Sequence, residues 1–497
     1  MTTWMGELAS HYEKIRQKYP QDKLMLVFDI DGTILDMRYL VLNVLRAFDL
    51  AHDTQYFQKL EVSVITTHEN HLELLLAQLE ISPEEQKPII DWYIEQRWSL
   101  PAIQGTYHPF QGVLEVIRWF QIQPNTYVGL NTGRPDKMRS ETLRMLNNLG
   151  QAHQVEFSNE LCHMNHSNEW EKIVHNSKVM GIQHFLDAGY RVCAAIDNEP
   201  GDLRAIADKV ATKDMLLFHA NTIFESEWNQ LPKHVVSGNE YDLTDLISEK
   251  NLPTDIQYVW HGINDQANLR QFLASDIQWG ECDIHWDPES GKLVLHHDPL
   301  GGNSIYDEMG ELSLTLEELL HQLCKAGKSV TLDLKGGGEL VGKTLDMLDE
   351  FYFDDSQLWL NSGINHLAED GFRMLADAHP NAIVQCAIDH LEHLICSEPL
   401  KAKELIDTMA SWGINRYSIK WQLGKLQTVF DQMQSWGFEV NIYGMDDLET
   451  FLQAVLWMPR SVTADFNFPK WHHYGRGSGQ GGTHYEYSMH KKTRDRR

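Results

Sequence analysis

The sequence predicts an α/β chain with two parallel sheets, the second closed into a barrel. Apolar strand-like runs alternate with helical stretches along both halves, and such alternation builds parallel sheets. In the first half the runs are "LMLVFDI", "TYVGLNT" and "RVCAAIDN". In the second they are "IQYVWHG", "GECDIHW", "KLVLHHD", "SVTLDLK", "SQLWLNS", "AIVQCAI", "INRYSIK", "FEVNIYG" and "SVTADF". About eight strand–helix units over roughly 220 residues suit a small (β/α)8 barrel of the TIM type. A polar, proline-containing connector, "YDLTDLISEKNLPTD", separates the halves near residue 250. The expected first domain is Rossmann-like and spans 1–245, with its core at 22–35 and 105–245 and a helical insertion at 36–104. The barrel follows over 255–475, and a glycine-rich basic tail over 476–497 reads as disordered.

The totals exclude several classes. The 497 residues are 42% hydrophobic and 23% charged, the mix of a soluble globular protein. No apolar run is long enough to span a membrane, and the polar N-terminus lacks a signal-peptide core. A net charge of -29 disfavours nucleic acid or an anionic membrane surface as partner. An anionic substrate must then be drawn in by local cations. The six cysteines lack metal-ligand spacing and read as reduced thiols, so the expected compartment is the cytoplasm. The oligomeric state is not legible.

Each strand of the first half ends in chemistry. "LMLVF" delivers Asp29, Asp31 and Thr33 in "DIDGT". Ligands of open parallel sheets bind at the carboxyl ends of strands, so two carboxylates there can hold a hard dication such as Mg²⁺. One carboxylate can attack a phosphoryl group while its neighbour moves the proton. "YVGLNTGRP" ends in Thr132, Gly133 and Arg134, a hydroxyl, free backbone N–H groups and a guanidinium suited to cradle phosphate. Lys178 precedes the run that places Asp197 at a third strand tip, with Asp202 five residues on. Taken singly, the acids could be turn residues and the lysine a solvated one.

The order Asp-x-Asp, Thr, Lys, Asp resembles the haloacid-dehalogenase (HAD) superfamily of phosphatases over about residues 22–225. The resemblance implies that Asp29 is the nucleophile and Asp31 the general acid/base. It further implies that Thr132 and Lys178 hold the phosphoryl oxygens, and that Asp29, Asp197 and the Asp31 carbonyl bind Mg²⁺. The insertion, with the helix-start signal "SPEE" at Ser82, resembles the family's helical cap.

In the second half, "IQYVWHGIN" ends a strand with His261. Glu281 and Asp283 in "GECDIHW" share one strand face, and Cys282 and Ile284 share the other. "KLVLHHDP" brings His297, and "VTLDLKGG" puts Asp333 and Lys335 on one face. His296 adjoins His297 and so points to the other face. Layered ion pairs inside a barrel would explain any one pair, but not a succession of charged strand ends. Three carboxylates suit one hard dication, and two imidazoles suit proton removal and donation at a phosphodiester.

This order resembles the phospholipase-C-like phosphodiesterase superfamily over about 256–470, which includes glycerophosphodiester phosphodiesterases and sphingomyelinase D. By that resemblance His261 and His297 are the acid/base pair, Glu281, Asp283 and Asp333 hold Mg²⁺ or Ca²⁺, and Lys335 contacts phosphate. Two features depart from glycerophosphodiesterases. His261-Gly262-Ile263-Asn264 replaces their His-Arg-Gly, and Asp333 stands where they carry glutamate. "HGIN", "ECDI", "LTLEELL", "LDLK" and "LWLN" also look like the menorin family. The expected function is therefore a bifunctional hydrolase of small phosphomonoesters and phosphodiesters, the fusion suggesting sequential work on one class of compound. The rival expectation is an active phosphatase carrying a degenerate barrel as a binding or scaffolding module.

Overall fold

The computed structural model describes residues 3–68, 71–97, 99, 108–167, 174–222, 231–248, 251–297, 299, 314–351, 353–422, 426–445, 448–464, 466–467, 472–476 and 484–487. The chain divides into two compact units between Ile247 and Ser248.

The first unit is built on six parallel strands: β1 (Leu24–Phe28), β2 (Thr126–Pro135), β3 (Cys162–Asn165), β4 (Arg191–Asp197), β5 (Leu216–Ala220) and β6 (Val236–Gly238). Their order is β3-β2-β1-β4-β5-β6, the Rossmann-like pattern. β1 lies mid-sheet and is buried along its whole length, which is why its sequence is a continuous apolar run. Met25, Val27, Val192 and Ala195 of the sheet pack against Ile182 and Phe185 of helix Val174–Asp187 and Leu203 and Ile206 of helix Pro200–Lys209. Gly181 lets helix Val174–Asp187 approach β2, since a Cβ there would lie 2.0 Å from the Asn131 side chain. Asn131 in turn donates to the carbonyl of Lys178 at 2.8 Å. This close seating carries Lys178 over the sheet.

The N-terminal helix, Trp4–Lys18, buries Trp4, Met5, Leu8, Tyr12 and Ile15. Each buried aliphatic side chain of this kind contributes roughly 1.5–3 kcal/mol. Between β1 and β2 the chain leaves and re-enters the core side by side: the Asp36 N–H donates to His108, and the Phe110 N–H to Ile34. The insertion between those points holds helices Arg38–His52, Leu72–Gln78 and Pro83–Gln96. The last of these starts with a reciprocal Ser82–Glu85 capping box and Pro83 in its first turn. The connector is less loose than its composition suggests. Leu243–Leu246 is helical, and Leu243, Leu246 and Ile247 are buried.

The second unit contains β7 (Gln257–Trp260), β8 (Trp279–Asp287), β9 (Lys292–Leu295), β10 (Ser329–Leu334), β11 (Leu358–Gly363), β12 (Ile383–Ala387), β13 (Arg416–Lys420), β14 (Glu439–Tyr443) and β15 (Ser461–Ala464). Eight of them form a closed parallel barrel, sealed by β15 on β7 and by β8 on β10. β9 is not a barrel strand; it returns antiparallel on β8. Only residues 288–291 join β8 to β9, enough for a hairpin but far short of the dozen or so a parallel crossover needs. Where β13, β14 and β7 begin, Arg416 pairs with Glu439 and donates to Gln257 at 2.6 Å.

Within the expected disordered tail, His484–Tyr487 is a strand paired antiparallel to His472–Arg476. Its "HYEY" run has the aromatic residues that favour strands. The rest of 477–497 lies outside the described residues.

Candidate active sites

In the first unit, β2 and β4 flank β1, and all three carry their functional residues to the same sheet edge. Asp29 directly follows β1, Asp197 ends β4, and Thr132 lies near the end of β2. Lys178 reaches them from its helix. Its ammonium sits 2.6 Å from Asp29, 2.7 Å from Asp197 and 3.9 Å from Asp202. Asp29, Thr132, Lys178, Asp197 and Asp202 are all buried. Burial pushes the Asp29 carboxyl well above the usual range, with Lys178 opposing and Asp197 and Asp31 adding to it. Asp197 is pushed up to about 6 by burial, again against Lys178. For Lys178, burial works to lower the pKa, but the carboxylates of Asp197, Asp29 and Asp202 outweigh it and raise it. Lys178 therefore stays charged, and one ammonium is shared among three buried acids.

The turn after β1 is shaped by glycine. Gly32 has φ +79°, and a Cβ there would strike the Asn198 side chain. Thr33 is wholly buried, its carbonyl accepting from Tyr241 Oη at 2.9 Å and its hydroxyl unpartnered among the described residues. Arg134, expected in the phosphate cradle, forks onto Asp31 at 2.8 and 2.6 Å and donates to Thr142. The Thr132 hydroxyl accepts from the Arg134 N–H at 3.2 Å, and Gly133 lies between them. Sequence reasoning missed Asn198. With its amide nitrogen facing the acids, it donates to the Asp31 carbonyl at 2.9 Å and to Asp29 at 3.2 Å. Its position beside Asp197 in "IDNEP" was the available signal.

In the barrel, strand register assembles the site. Asp283 of β8 lies opposite Asp333 of β10, and Glu281 opposite Thr331. Ligand oxygens of Glu281, Asp283 and Asp333 all lie within 4.8 Å of one another. Lys335 is 2.7 Å from Asp283 and also contacts Asp333. The His261 ring nitrogen is 3.7 Å from Glu281. His297 follows β9 and is half-buried, near enough for its charge to act on Asp283. The neighbouring His296 N–H ties that segment to the Asp283 carbonyl at 3.0 Å. So β9, though outside the barrel, is what carries His297 to the mouth.

Burial pushes Glu281 up to about 8, with Asp283 and Asp333 adding to it. Asp333 is raised by burial against Lys335. Burial would raise Asp283 too, but Lys335 and His261 outweigh it and hold the acid low. Three carboxyl groups, Glu281 and Asp283 buried and Asp333 half-buried, thus face one ammonium, an arrangement that a hard dication fits. Four contacts went unforeseen. The Gly262 N–H donates to Glu281 at 2.8 Å, and Asn264 to Asp283 at 2.6 Å. Asn361 donates to Asp333 at 2.9 Å and accepts from Gln385 at 2.8 Å. The asparagines of "HGIN" and "LWLN" and the acids Asp283 and Asp333 were all in view; their pairing across 19 and 28 residues was not.

No family model and no curated protein matches this chain. Solved structures resemble its parts. A phosphodiesterase from Oleispira antarctica, in complex with its product sn-glycerol-3-phosphate, is 16% identical, with a TM-score of 0.35 over 44% of this chain and 95% of that one. A glycerophosphodiester phosphodiesterase from Agrobacterium tumefaciens is 15% identical, with a TM-score of 0.31 over 42% and 95%. A predicted phosphatase from Clostridium acetobutylicum is 10% identical, with a TM-score of 0.28 over 44% and 95%. Likeness this low carries no argument about activity, which has to come from the sites. Among the described residues no helix is long and apolar enough to cross a membrane.

Proposed function

We propose that the chain is a bifunctional phosphoric ester hydrolase, with a Mg²⁺-dependent phosphomonoesterase in the first unit and a metal-dependent phosphodiesterase in the barrel. One observation carries the reading: each unit lodges a lysine ammonium between carboxylates at the C-terminal ends of parallel strands. Gathering acids this way costs several kcal/mol and is retained where a cation and an anionic substrate meet.

In the first unit Asp29 and Asp197, with the Asp31 carbonyl, would hold Mg²⁺, whose charge would offset that of the phosphoryl oxygens. Asp29 attacks phosphorus, and the bond to the leaving oxygen breaks as Asp31 gives that oxygen a proton. Water then attacks the aspartyl-phosphate while Asp31 takes its proton, releasing phosphate and restoring Asp29. Thr132, Gly133, Thr33 and Lys178 bind the phosphoryl oxygens, and Arg134 aims Asp31.

In the barrel, Glu281, Asp283 and Asp333 would hold Mg²⁺ or Ca²⁺, which would neutralise phosphate charge. No serine or cysteine lies on the acid-bearing face of "GECDIHW" or "LDLK", and Thr331 sits opposite Glu281, deeper than Asp333. With no protein nucleophile on that face, attack by a neighbouring hydroxyl of the substrate is the simplest route, and the one the resemblance implies. One of His261 and His297 takes its proton, the other protonates the departing alkoxide, and a cyclic phosphate results. Lys335 contacts the phosphate.

The test is the full chain with Mg²⁺ and a panel of phosphomonoesters and glycerophosphodiesters, followed by phosphorus NMR. Free phosphate from monoesters and a cyclic phosphate from diesters are expected. No turnover of any monoester or diester overturns the reading.

A further inference from the structure

We infer that Asn361 and Gln385 form a two-amide relay that sets the orientation of Asp333 and thereby the metal affinity of the barrel, an inference that rests on the metal reading just proposed. The three carboxylates are held by different means. Glu281 takes a backbone N–H, and Asp283 takes Asn264 and Lys335. Asp333 takes Lys335 and Asn361, and Asn361 is itself held by Gln385.

The three residues form one row across the barrel interior. Asp333 on β10 is in register with Asn361 on β11, which is in register with Gln385 on β12. The row has a direction dictated by chemistry. An ionised carboxylate only accepts, so Asn361 must turn its NH₂ toward Asp333. That leaves the Asn361 carbonyl facing β12, where only the NH₂ of Gln385 can satisfy it. Gln385 is almost fully buried, and its own carbonyl has no partner among the described residues. An orphaned buried acceptor costs about 1–3 kcal/mol. The amide keeps its donor on Asn361 in spite of that cost. The donor fixes one Asp333 oxygen at 2.9 Å, and the other contacts Lys335. Asn361 and Gln385 are positioning residues: they act on the ion through Asp333.

The experiment uses the full chain carrying Asp197→Asn, so that only the barrel titrates, with Mn²⁺ as the probe and free Mn²⁺ read by electron paramagnetic resonance. Asn361→Leu should weaken Mn²⁺ binding by about 10–100-fold, the usual effect of losing a partner behind a metal ligand. Gln385→Met keeps the volume and removes the donor, and should weaken it about 10-fold. The double variant should bind no worse than Asn361→Leu alone, because a relay fails once. Wild-type affinity in both single variants overturns the relay, as do losses that add in the double variant. If Asn361→Leu does not fold, Asn361→Ser is read the same way. Absence of any Mn²⁺ binding with Asn361 and Gln385 intact overturns instead the metal reading beneath it.

Discussion

Lys178 lies 2.6 Å from Asp29 and 2.7 Å from Asp197, and Lys335 lies 2.7 Å from Asp283 and contacts Asp333. The two ammonium groups occupy matching electrostatic positions, but they arrive differently. Lys178 comes from a helix pressed on the sheet through Gly181, and its side chain is 2% exposed. Lys335 comes one residue after the strand that carries Asp333, and is 18% exposed. The acids differ as well. In the barrel three side chains converge within 4.8 Å, whereas the first site counts a backbone carbonyl among its proposed ligands. The comparison teaches that one charge pattern can be built from a helix or from a strand end. On the proposed reading, what separates the two sites is whether a carboxylate attacks phosphorus or all are given to metal while imidazoles handle protons.

The largest effect expected is that of Asp29→Asn. An amide cannot form the acyl-phosphate, so monoester turnover should fall by on the order of 10⁴-fold or more. Diester turnover by the same protein should not change, and a parallel loss of both would break the separation of the sites.

His261→Ala and His297→Ala should each lower diester turnover by about 10²–10⁴-fold and leave monoester turnover intact. The wild-type diester profile should be bell-shaped in pH, since one imidazole must be neutral and the other charged. Loss of one limb in each variant would identify which histidine is the base.

Removing each lysine sharpens the comparison. Lys178→Met strands Asp29, Asp197 and Asp202 without their buried cation, a loss of about 3–5 kcal/mol. Lys335→Met should cost less, because Lys335 and Asp333 are partly exposed. Denaturant unfolding of the two variants measures the difference, and equal losses would remove the contrast in burial.

The smallest effect is in pH. Glu281 is held protonated up to about 8 by burial when no ion is present. Its unfolded counterpart ionises near 4.3. Between those values the folded state binds more protons, so metal-free stability falls as pH rises. Ion binding needs the carboxylate, so affinity should climb with pH and level off above about 8. Calorimetric titration at several pH values would show it, and a flat profile would mean that Glu281 is not a ligand.

Much of this was legible along the chain because local rules suffice there. Strand period put Glu281 with Asp283 and Asp333 with Lys335. Apolar runs ending in acids marked β1 and β4, and "SPEE" marked a helix start. Other features have no local signature. β9 looked like a ninth strand of the series because composition does not report strand direction; a four-residue turn decides it. Arg134 looked like part of a phosphate cradle because nothing nearby in sequence shows Asp31, 103 residues away, closing on it.

By itself, the sequence determined the strand and helix order, the inward faces and the residue types at the strand ends, since these follow from periodicity and side-chain chemistry. Only the tertiary structure decided which ends meet. Register across β8, β10, β11 and β12 aligned Asp283, Asp333, Asn361 and Gln385, and the packing of one helix brought Lys178 onto Asp29 and Asp197. Those are distances between segments far apart in the chain, set by sheet closure and side-chain packing, and no local pattern encodes them.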